Sequence, residues 1–258
     1  MTAPARALDH DEFVLKYVDG KDGETQTFCR SITFEHPTLP APISFKQEPT
    51  GDERPEEMAT STEAVFPALR LWPIAHRLAT HLCDHPELVR GKSVLELGSG
   101  VGLVGLVAAA LGARSVAVTD ANVSLLGENV EMSNLDNITV HKLIWGETEI
   151  AEEEPELILA SDIIQNQGVE AMTELVATLK YFADKRAGPQ EPLQFLVAYT
   201  IRMHWDTVNA FKDVAKTEGF KVSHVPTPEW NEEQMLFLLT FTGPQCNEST
   251  TGRDAVRL

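Results

Sequence analysis

The sequence has few cysteines, few basic residues and no long apolar segment, and each shortage excludes a class of protein. The three cysteines, Cys29, Cys83 and Cys246, are far apart and form no CxxC pair, so we expect reduced thiols rather than a disulfide framework or a zinc site. Lys and Arg number 21 against 39 Asp and Glu, and the net charge of −18 disfavours nucleic acid and anionic membrane surfaces as partners. The longest apolar stretch, residues 101–113, is too short to span a bilayer.

The beginning of the chain does not have the pattern of a signal peptide. Residues 1–12 are polar and carry acidic side chains early. Together with the reduced thiols, this composition predicts a protein of the cytosol or nucleus, and we expect it to act as a monomer.

We divide the 258 residues into three parts. Residues 1–62 are predicted to form an N-terminal β-hairpin extension, with strands at 13–18 and 25–34, followed by a mobile acidic loop. Residues 63–243 form the main α/β domain, and residues 244–258 form a disordered tail. The hydrophobic content of 43% is enough for a sizeable core in a domain of this length.

Strands and helices alternate along the main domain. A helix is predicted to begin at Pro73, because proline is favoured in the first turn of a helix. The strands that follow are predicted at 93–97, 115–119, 139–143, 156–160, 194–199, 221–225 and 235–242, with intervening helices at 101–111, 121–134, 168–181 and 205–218. This pattern predicts a doubly wound, Rossmann-like sheet of seven mostly parallel strands with an antiparallel terminal hairpin. Ligands of such sheets bind beyond the carboxyl ends of the strands, where Glu96, Asp120 and Asp162 fall.

The most informative segment is residues 94–105, which read Val-Leu-Glu-Leu-Gly-Ser-Gly-Val-Gly-Leu-Val-Gly. An apolar run reaches Glu96 and then turns through several glycines into a helix of small residues. Glycine has no Cβ atom, so the turn can be tight and the backbone can approach a ligand closely. The segment therefore predicts a nucleotide-type cofactor loop.

Two cofactors and a purely structural turn compete as explanations of this loop. Gly100, Gly102 and Gly105 match the dinucleotide pattern GxGxxG, and Asp120 follows about twenty residues later, where an NAD site has its ribose-binding acid. Glu96 and the alternating glycines instead match ExGxGxG, the loop of enzymes that use S-adenosylmethionine (SAM). A carboxylate beside the loop repels a pyrophosphate, whereas it suits the ammonium and sulfonium of SAM. The charge therefore favours SAM.

The eight histidines predict no metal site. Only His81 and His85 have the i, i+4 spacing of a ligand pair on one helix face, and no further ligand accompanies them.

Several motifs, in a fixed order, resemble those of the seven-β-strand SAM-dependent methyltransferases, and most closely the protein-lysine methyltransferase group called methyltransferase family 16. The motifs lie within residues 71–242, about two thirds of the chain, at residues 71–75, 94–105, 118–120, 129–134, 143–146, 157–162 and 198–202. The resemblance implies SAM as the cofactor and a protein as the substrate, typically a chaperone or a translation factor.

The resemblance also implies a set of cofactor-binding residues. Glu96 is expected near the methionyl part of SAM, Asp120 at the ribose hydroxyls, and Trp145 against the adenine, where an indole offers a flat stacking surface. Asp120 could instead serve only as a helix N-cap, and Trp145 only as a core residue. Trp72 could line the pocket or only anchor the helix that follows it. The complete set is Trp72, Glu96, Gly98, Ser99, Gly100, Gly102, Asp120, Ala121, Trp145 and Ser161.

Asp162 and Gln165 are the residues that the resemblance places nearest the transferred methyl group. The family pattern is Asp-x-x-Tyr or Asp-x-x-Phe, but this chain reads Asp-Ile-Ile-Gln, so the acid is kept and the aromatic ring is replaced by an amide. A ring can hold a methylated ammonium by cation–π contact, which an amide cannot do. Either the substrate is not lysine, or the protein binds SAM with little turnover, or another ring takes over, the candidates being Phe66, Tyr199, Trp205 and Trp230.

The leading hypothesis from the sequence is methyl transfer from SAM to a protein lysine. A methyltransferase that acts on a small molecule and a SAM-binding interaction protein with little catalytic activity are the alternatives.

Overall fold

The chain forms a seven-stranded sheet with helices on both faces and a separate two-stranded hairpin. The computed structural model describes residues 30–48, 69–147, 154–164, 169–186, 192–201 and 205–242. The strands are β1 (Arg30–Phe34), β2 (Ile43–Gln47), β3 (Ser93–Leu97), β4 (Ser115–Asp120), β5 (Ile138–Lys142), β6 (Leu157–Ser161), β7 (Gln194–Thr200), β8 (Phe220–Val225) and β9 (Gln234–Phe241). The helices are α1 (Pro73–Asp84), α2 (Leu103–Ala110), α3 (Ser124–Ser133), α4 (Val169–Lys185) and α5 (Trp205–Thr217), and a short 3-10 helix spans Pro86–Leu88.

The order of strands across the large sheet is β5-β4-β3-β6-β7-β9-β8. The strands from β3 to β7 pair in parallel, whereas β9 runs antiparallel to both β7 and β8. This topology confirms the predicted doubly wound sheet with its antiparallel terminal hairpin. Chain order runs from β3 outward to β5 on one side and from β6 outward on the other, so it reverses between β3 and β6. A sheet of this kind opens its ligand crevice at that point, beyond the carboxyl ends of the strands.

The burial of the strands explains why their positions could be read from the sequence. All five residues of β3 are buried, as expected for a central parallel strand covered on both faces. Each strand predicted in the large sheet agrees with the observed strand to within one residue at either end. The predicted starts of α1 and α5 match the structure, whereas α2 and α3 begin two and three residues later than expected, and α4 ends at Lys185, four residues later.

The N-terminal hairpin is only partly as predicted. Its first strand, β1, lies within the predicted strand 25–34, but β1 pairs with β2, which the sequence analysis did not predict. The other predicted strand, residues 13–18, lies outside the described residues. Residues of β2 alternate between buried and more exposed, and the fully buried Phe45 joins the core beneath α1 and α2. The hairpin therefore shares its core with the main sheet and its helices.

The helices cover the sheet on two sides, and each side has its own apolar core. One cluster combines the hairpin, α1, α2 and α3 with one face of the sheet, and the other combines α4 and α5 with the opposite face. Among the described residues, no helix has both the length and the apolar character needed to cross a membrane. The predicted domain limits, between residues 62 and 63 and between 243 and 244, lie outside the described residues and stay predictions.

Candidate active site

Three glycines in the left-handed backbone region turn the chain from β3 into α2. Gly98, Gly100 and Gly102 have φ angles of 63°, 55° and 90°, which side-chain-bearing residues rarely adopt. The space around two of them is also closed. A Cβ atom on Gly98 would lie 2.7 Å from Cγ2 of Ile163, and one on Gly102 would lie 2.7 Å from Cδ1 of Leu126. Both the turn and its packing against the ends of β6 and α3 therefore require glycine.

Four backbone N–H groups, three in this loop and one in the first turn of α2, donate hydrogen bonds to acceptors within the protein. The four donor–acceptor pairs are Ser99 N to Thr119 O (2.9 Å), Gly100 N to Asp120 Oδ2 (2.9 Å), Gly102 N to Ser99 O (2.8 Å) and Gly105 N to Glu96 Oε2 (2.9 Å). A dinucleotide site instead offers free loop amides and a helix N-terminus to its pyrophosphate. Because these amides are already used, the loop fits SAM, which has no phosphate, better than it fits NAD.

Glu96 lies beneath the glycine loop. Its side chain crosses from β3 to the first turn of α2, where Oε2 accepts the hydrogen bond from Gly105, and the residue is only 1% exposed. Burial raises the pKa of this carboxyl group to about 8, so it is mostly protonated at neutral pH. In the sequence, the charge of Glu96 favoured SAM, whereas in the structure the four N–H groups that already donate within the protein favour SAM. Direct contact between Glu96 and the cofactor stays a prediction.

Ser99 and Thr119 join the ends of β3 and β4. The Ser99 hydroxyl accepts a hydrogen bond from the Thr119 backbone N–H at 3.0 Å, and the Thr119 hydroxyl donates to the Glu96 carbonyl at 2.7 Å. Ser99 is 8% exposed and Thr119 is fully buried. These bonds fix the base of the loop, which was predicted to form the wall of the cofactor site.

Asp120 ends β4 and faces the same loop. Its Oδ2 accepts from Gly100, and its Oδ1 accepts from the backbone N–H of Asn122 at 3.1 Å. Asn122 precedes α3, which begins at Ser124, so Asp120 organises the turn between strand and helix rather than capping the helix itself. A carboxylate has about four acceptor sites, so two backbone bonds leave acceptor capacity for the hydroxyl groups of a ribose.

Asp162 lies directly after β6, on the other side of β3. It is 6% exposed, and its φ angle of 59° makes it one of two non-glycine residues with a positive φ in the described part of the chain. Its backbone N–H donates to the carbonyl of Ala198 in β7 at 2.9 Å. Ile163, the next residue, packs against Gly98. The structure therefore brings the glycine loop and Asp162 together where the strand order reverses, as the sequence analysis expected.

Four of the remaining predicted site residues lie within the described part of the chain. Trp145 follows β5 and packs, half-buried, against the core on the α4 side, while Trp72 is half-buried immediately before α1. Ser161 is the last residue of β6, and Ala121, exposed, follows β4. Outside the description lie Gln165, Phe66 and the side chain of Trp205. Of the alternative rings, Tyr199 is buried in β7, and Trp230 packs edge-on against His81.

Asn129 is a site-supporting residue that the sequence analysis did not single out. It is fully buried in α3, and its side-chain amide donates to the carbonyl of Val101, between two glycines of the loop, at 2.9 Å. Within the described residues, no group of three or more His, Cys, Asp or Glu side chains is arranged to hold a metal ion.

Comparison with known proteins is consistent with this site. A family model described as lysine methyltransferase matches residues 59–216, which is more than half of the chain. The chain belongs to this lysine methyltransferase family. SAM is accordingly its methyl donor, and the resemblance drawn from the sequence motifs is confirmed.

Several curated members of this wider group are similar in sequence. Protein N-lysine methyltransferase METTL21A of Mus musculus is 36% identical over 125 residues, 45% of this chain and 56% of the relative. Histone-arginine methyltransferase METTL23 of Rattus norvegicus is 27% identical over 61% of this chain and 72% of the relative. Calmodulin-lysine N-methyltransferase of Arabidopsis thaliana is 37% identical over 35% of this chain and 33% of the relative. The alignments with METTL21A and the calmodulin enzyme thus span about half and a third of those proteins.

Solved structures support the fold assignment. A candidate O-methyltransferase from Nostoc punctiforme superposes on this lysine methyltransferase family member with a TM-score of 0.51, over 65% of this chain and 56% of that protein. At 12% sequence identity this similarity concerns the fold alone.

Proposed function

We propose that this chain transfers a methyl group from SAM to the side-chain amine of a protein lysine. The observation that carries the proposal is the arrangement at the reversal of strand order. There, the glycine loop lies between Asp120 on one side and Asp162 on the other. Its backbone N–H groups at Ser99, Gly100 and Gly102 already donate hydrogen bonds within the protein. The family membership and the names of METTL21A and the calmodulin enzyme support lysine as the acceptor.

The proposed cofactor site lies along the carboxyl ends of β3, β4 and β5. When bound, SAM supplies an electrophilic methyl group carried on a sulfonium. Asp120 is positioned to accept the ribose hydroxyls, and the half-buried Trp145 offers a flat face for the adenine. The other proposed cofactor-binding residues form the wall of the site and its surroundings. They are Trp72, Glu96, Gly98, Ser99, Gly100, Gly102, Ala121 and Ser161.

The proposed acceptor site is formed by Asp162 and Gln165. A lysine amine has to lose its proton before it can react, which costs about 4–5 kcal/mol at pH 7. A carboxylate at the end of β6 attracts the lysine ammonium and then orients the amine, and methyl transfer depends chiefly on such positioning. A left-handed backbone costs about 1–2 kcal/mol for most residues with a side chain and less for Asp, whose short polar side chain can hydrogen-bond locally. Strain of this kind is concentrated at functional sites, which supports a role for this residue.

The charge of the chain is consistent with a basic segment of a protein as the substrate. A net charge of −18 attracts Lys-rich segments over long range. We infer that the protein acts as a monomer in the cytosol or nucleus, on a substrate such as a chaperone or a translation factor.

The test is transfer of isotopically labelled methyl from SAM into a cell lysate, followed by hydrolysis of each labelled protein to amino acids. We expect a discrete labelled protein that contains methyllysine. Asp162→Asn should abolish the label, whereas the matched control Asp136→Asn, at an exposed position after α3, should leave it unchanged.

Three other outcomes would redirect the proposal. Methylarginine in the labelled protein would indicate the acceptor named for METTL23. A labelled small molecule without labelled protein would indicate a small-molecule methyltransferase, which the replacement of the family aromatic ring by Gln165 favours. Saturable SAM binding without any labelled product would indicate a binding protein with little catalytic activity.

A further inference from the structure

The N-terminal hairpin is hydrogen-bonded to the cofactor loop through a single side chain. The Oδ1 atom of Asn129 accepts a bond from the backbone N–H of Lys46 in β2 at 2.7 Å. Its Nδ2 atom donates to the carbonyl of Lys46 and to the carbonyl of Val101, both at 2.9 Å. One carboxamide thus joins β2, α3 and the glycine loop, which are distant from one another in the sequence.

Only an asparagine side chain makes this set of bonds at position 129. An amide group has two N–H donors and an acceptor oxygen, and here both donors and the acceptor are used. A carboxylate of the same shape could accept from Lys46 but could donate to neither carbonyl. Because Asn129 is fully buried, water cannot replace a missing partner without rearrangement.

Among the described residues, Asn129 is the only hydrogen-bond partner of the backbone N–H and carbonyl of Lys46. Both groups point to Asn129, so they point away from β1, the strand with which β2 pairs. The alternate residues of β2, Phe45 among them, carry the apolar contacts of the hairpin with the core. Docking of β2 therefore combines apolar contact with polar contacts, among them the Lys46–Glu128 ion pair and the bond from the Leu71 N–H to Gln47 Oε1. The connection through Asn129 is the one that continues to the cofactor loop.

The third bond, from Nδ2 of Asn129 to the carbonyl of Val101, reaches the glycine loop between two residues with a left-handed backbone. Val101 lies between Gly100 and Gly102, both in the left-handed region, and Gly100 is the residue that Asp120 holds. Leu126, one turn before Asn129 in α3, is the residue that packs against Gly102. A shift of α3 or of Asn129 would therefore move the carbonyl of Val101 relative to Asp120.

We propose that the N-terminal hairpin is a positioning element for SAM binding and that Asn129 is the positioning residue that couples its docking to the glycine loop. The inference rests on the proposed cofactor site. Loosening β2 from α3 then lowers the affinity for SAM by changing the conformation of residues 98–102, in addition to any loss of stability.

Two variants break the connection from opposite sides, and each has a matched control. Asn129→Ala removes all three bonds. Its control is Asn137→Ala, which removes two similar bonds, to the carbonyls of Ala109 and Ala113 at the other end of α2. Lys46→Pro removes the backbone N–H that donates to Asn129 and, with the lysine side chain, the ion pair with Glu128. It removes no hydrogen bond to β1, because that N–H does not pair with β1. Its control is Lys46→Ala, which keeps the backbone N–H but loses the same exposed ion pair with Glu128.

Two readouts are measured below the melting temperature of every variant. The first is the dissociation constant of SAM by calorimetry, and the second is amide hydrogen exchange of residues 98–105 without SAM. We expect Asn129→Ala and Lys46→Pro to weaken SAM binding at least about fivefold and to accelerate exchange in the loop. The two controls should keep the wild-type affinity and loop exchange, even if Asn137→Ala lowers the melting temperature by as much as Asn129→Ala does.

The outcomes separate this inference from the proposed function. If wild-type protein does not bind SAM, the proposed cofactor site is wrong. Hydrogen exchange of the loop is measured without SAM, so unchanged exchange in both test variants would refute the coupling whether or not SAM binds. If wild-type protein binds SAM and both test variants bind it as well as their controls, the hairpin does not position the loop. If Asn129→Ala does not fold, Lys46→Pro against Lys46→Ala decides the question.

Discussion

The Oδ2 atom of Asp120 accepts a hydrogen bond from the backbone N–H of Gly100 at 2.9 Å, so the end of β4 holds the loop that follows β3. The second carboxylate oxygen of Asp120 binds the backbone N–H of Asn122. One side chain thus organises the two connections between which the cofactor site is proposed. The proposed ribose contact would use the acceptor capacity that these two bonds leave.

Asp120→Ala should weaken SAM binding more than it weakens the fold. Loss of a hydrogen bond to a charged group is worth about 1.5–3 kcal/mol, which corresponds to at least about tenfold in the dissociation constant of SAM. The melting temperature of the protein without SAM should change by only a few degrees. Calorimetric titration and a thermal melt test this, with the exposed Asp136→Ala as the control. A variant that binds SAM as wild type does would remove Asp120 from the site.

Asp162 gives a prediction in which activity falls far more than stability. Its φ of 59° suits glycine, so the backbone of Asp162→Gly can keep its conformation, and the variant should melt within a few degrees of wild type. Methyl transfer should fall by about a hundredfold or more, because the group that orients the acceptor is lost. Steady-state kinetics with labelled SAM and a thermal melt measure the two effects. Transfer at the wild-type rate would show that Asp162 does not orient the acceptor.

The buried Glu96 predicts a pH dependence of stability. Burial raises its pKa from 4.5 to about 8, so between these values the native state holds a proton that the unfolded chain has lost. Its contribution is fully present below pH 4.5 and is lost as the pH rises to about 8, at a rate on the order of 1 kcal/mol per pH unit. Glu96→Gln stays neutral and can still accept the bond from Gly105.

The free energy of unfolding of Glu96→Gln should therefore rise relative to that of wild type from pH 5 to pH 8 and then level off. Denaturant titrations at pH 5, 6.5, 8 and 9 measure the difference, and the exposed Glu131→Gln corrects for general charge effects. A constant difference across this range would contradict a raised pKa for Glu96.

Two glycines in neighbouring helices should respond oppositely to alanine. A Cβ atom on Gly105 would overlap Val118 and lie 2.8 Å from Oε2 of Glu96, so Gly105→Ala should lower the free energy of unfolding by about 1–3 kcal/mol. Gly127, in α3, has no atom within 4 Å of such a Cβ. Gly127→Ala should raise the free energy of unfolding by about 0.5–1 kcal/mol, since alanine is the better helix former. Equal effects in denaturant titrations would mean that α2 does not pack this closely on the sheet.

Much of the sheet could be predicted because its strands carry their signal locally. The fully buried β3 is rich in apolar residues and leads directly into a glycine loop, and its predicted limits match the observed ones. Helix starts were harder, since Gly102 belongs by composition to the apolar helix α2 but has a left-handed backbone. The shift of α3 by three residues has a related cause, because Asp120 and Asn122 form a turn there before the helix begins.

Features that depend on distant partners could not be predicted. Strand β2 is only five residues long, and its pairing with β1 carries no local signal in the sequence. Asn129 reads as an ordinary polar helix residue, because the backbone it binds at Lys46 is 83 residues away. The raised pKa of Glu96 could not be predicted for a similar reason, since it arises from burial beneath a loop and a helix that the sequence does not show packed together.

The measurement that tests the central claim most directly is calorimetric titration of the wild-type protein with SAM and, separately, with NAD. The loop amides of Ser99, Gly100, Gly102 and Gly105 are already used within the protein, so we predict saturable binding of one SAM per chain and no detectable binding of NAD. Saturable binding of NAD, or no binding of SAM, would contradict the assignment of this site.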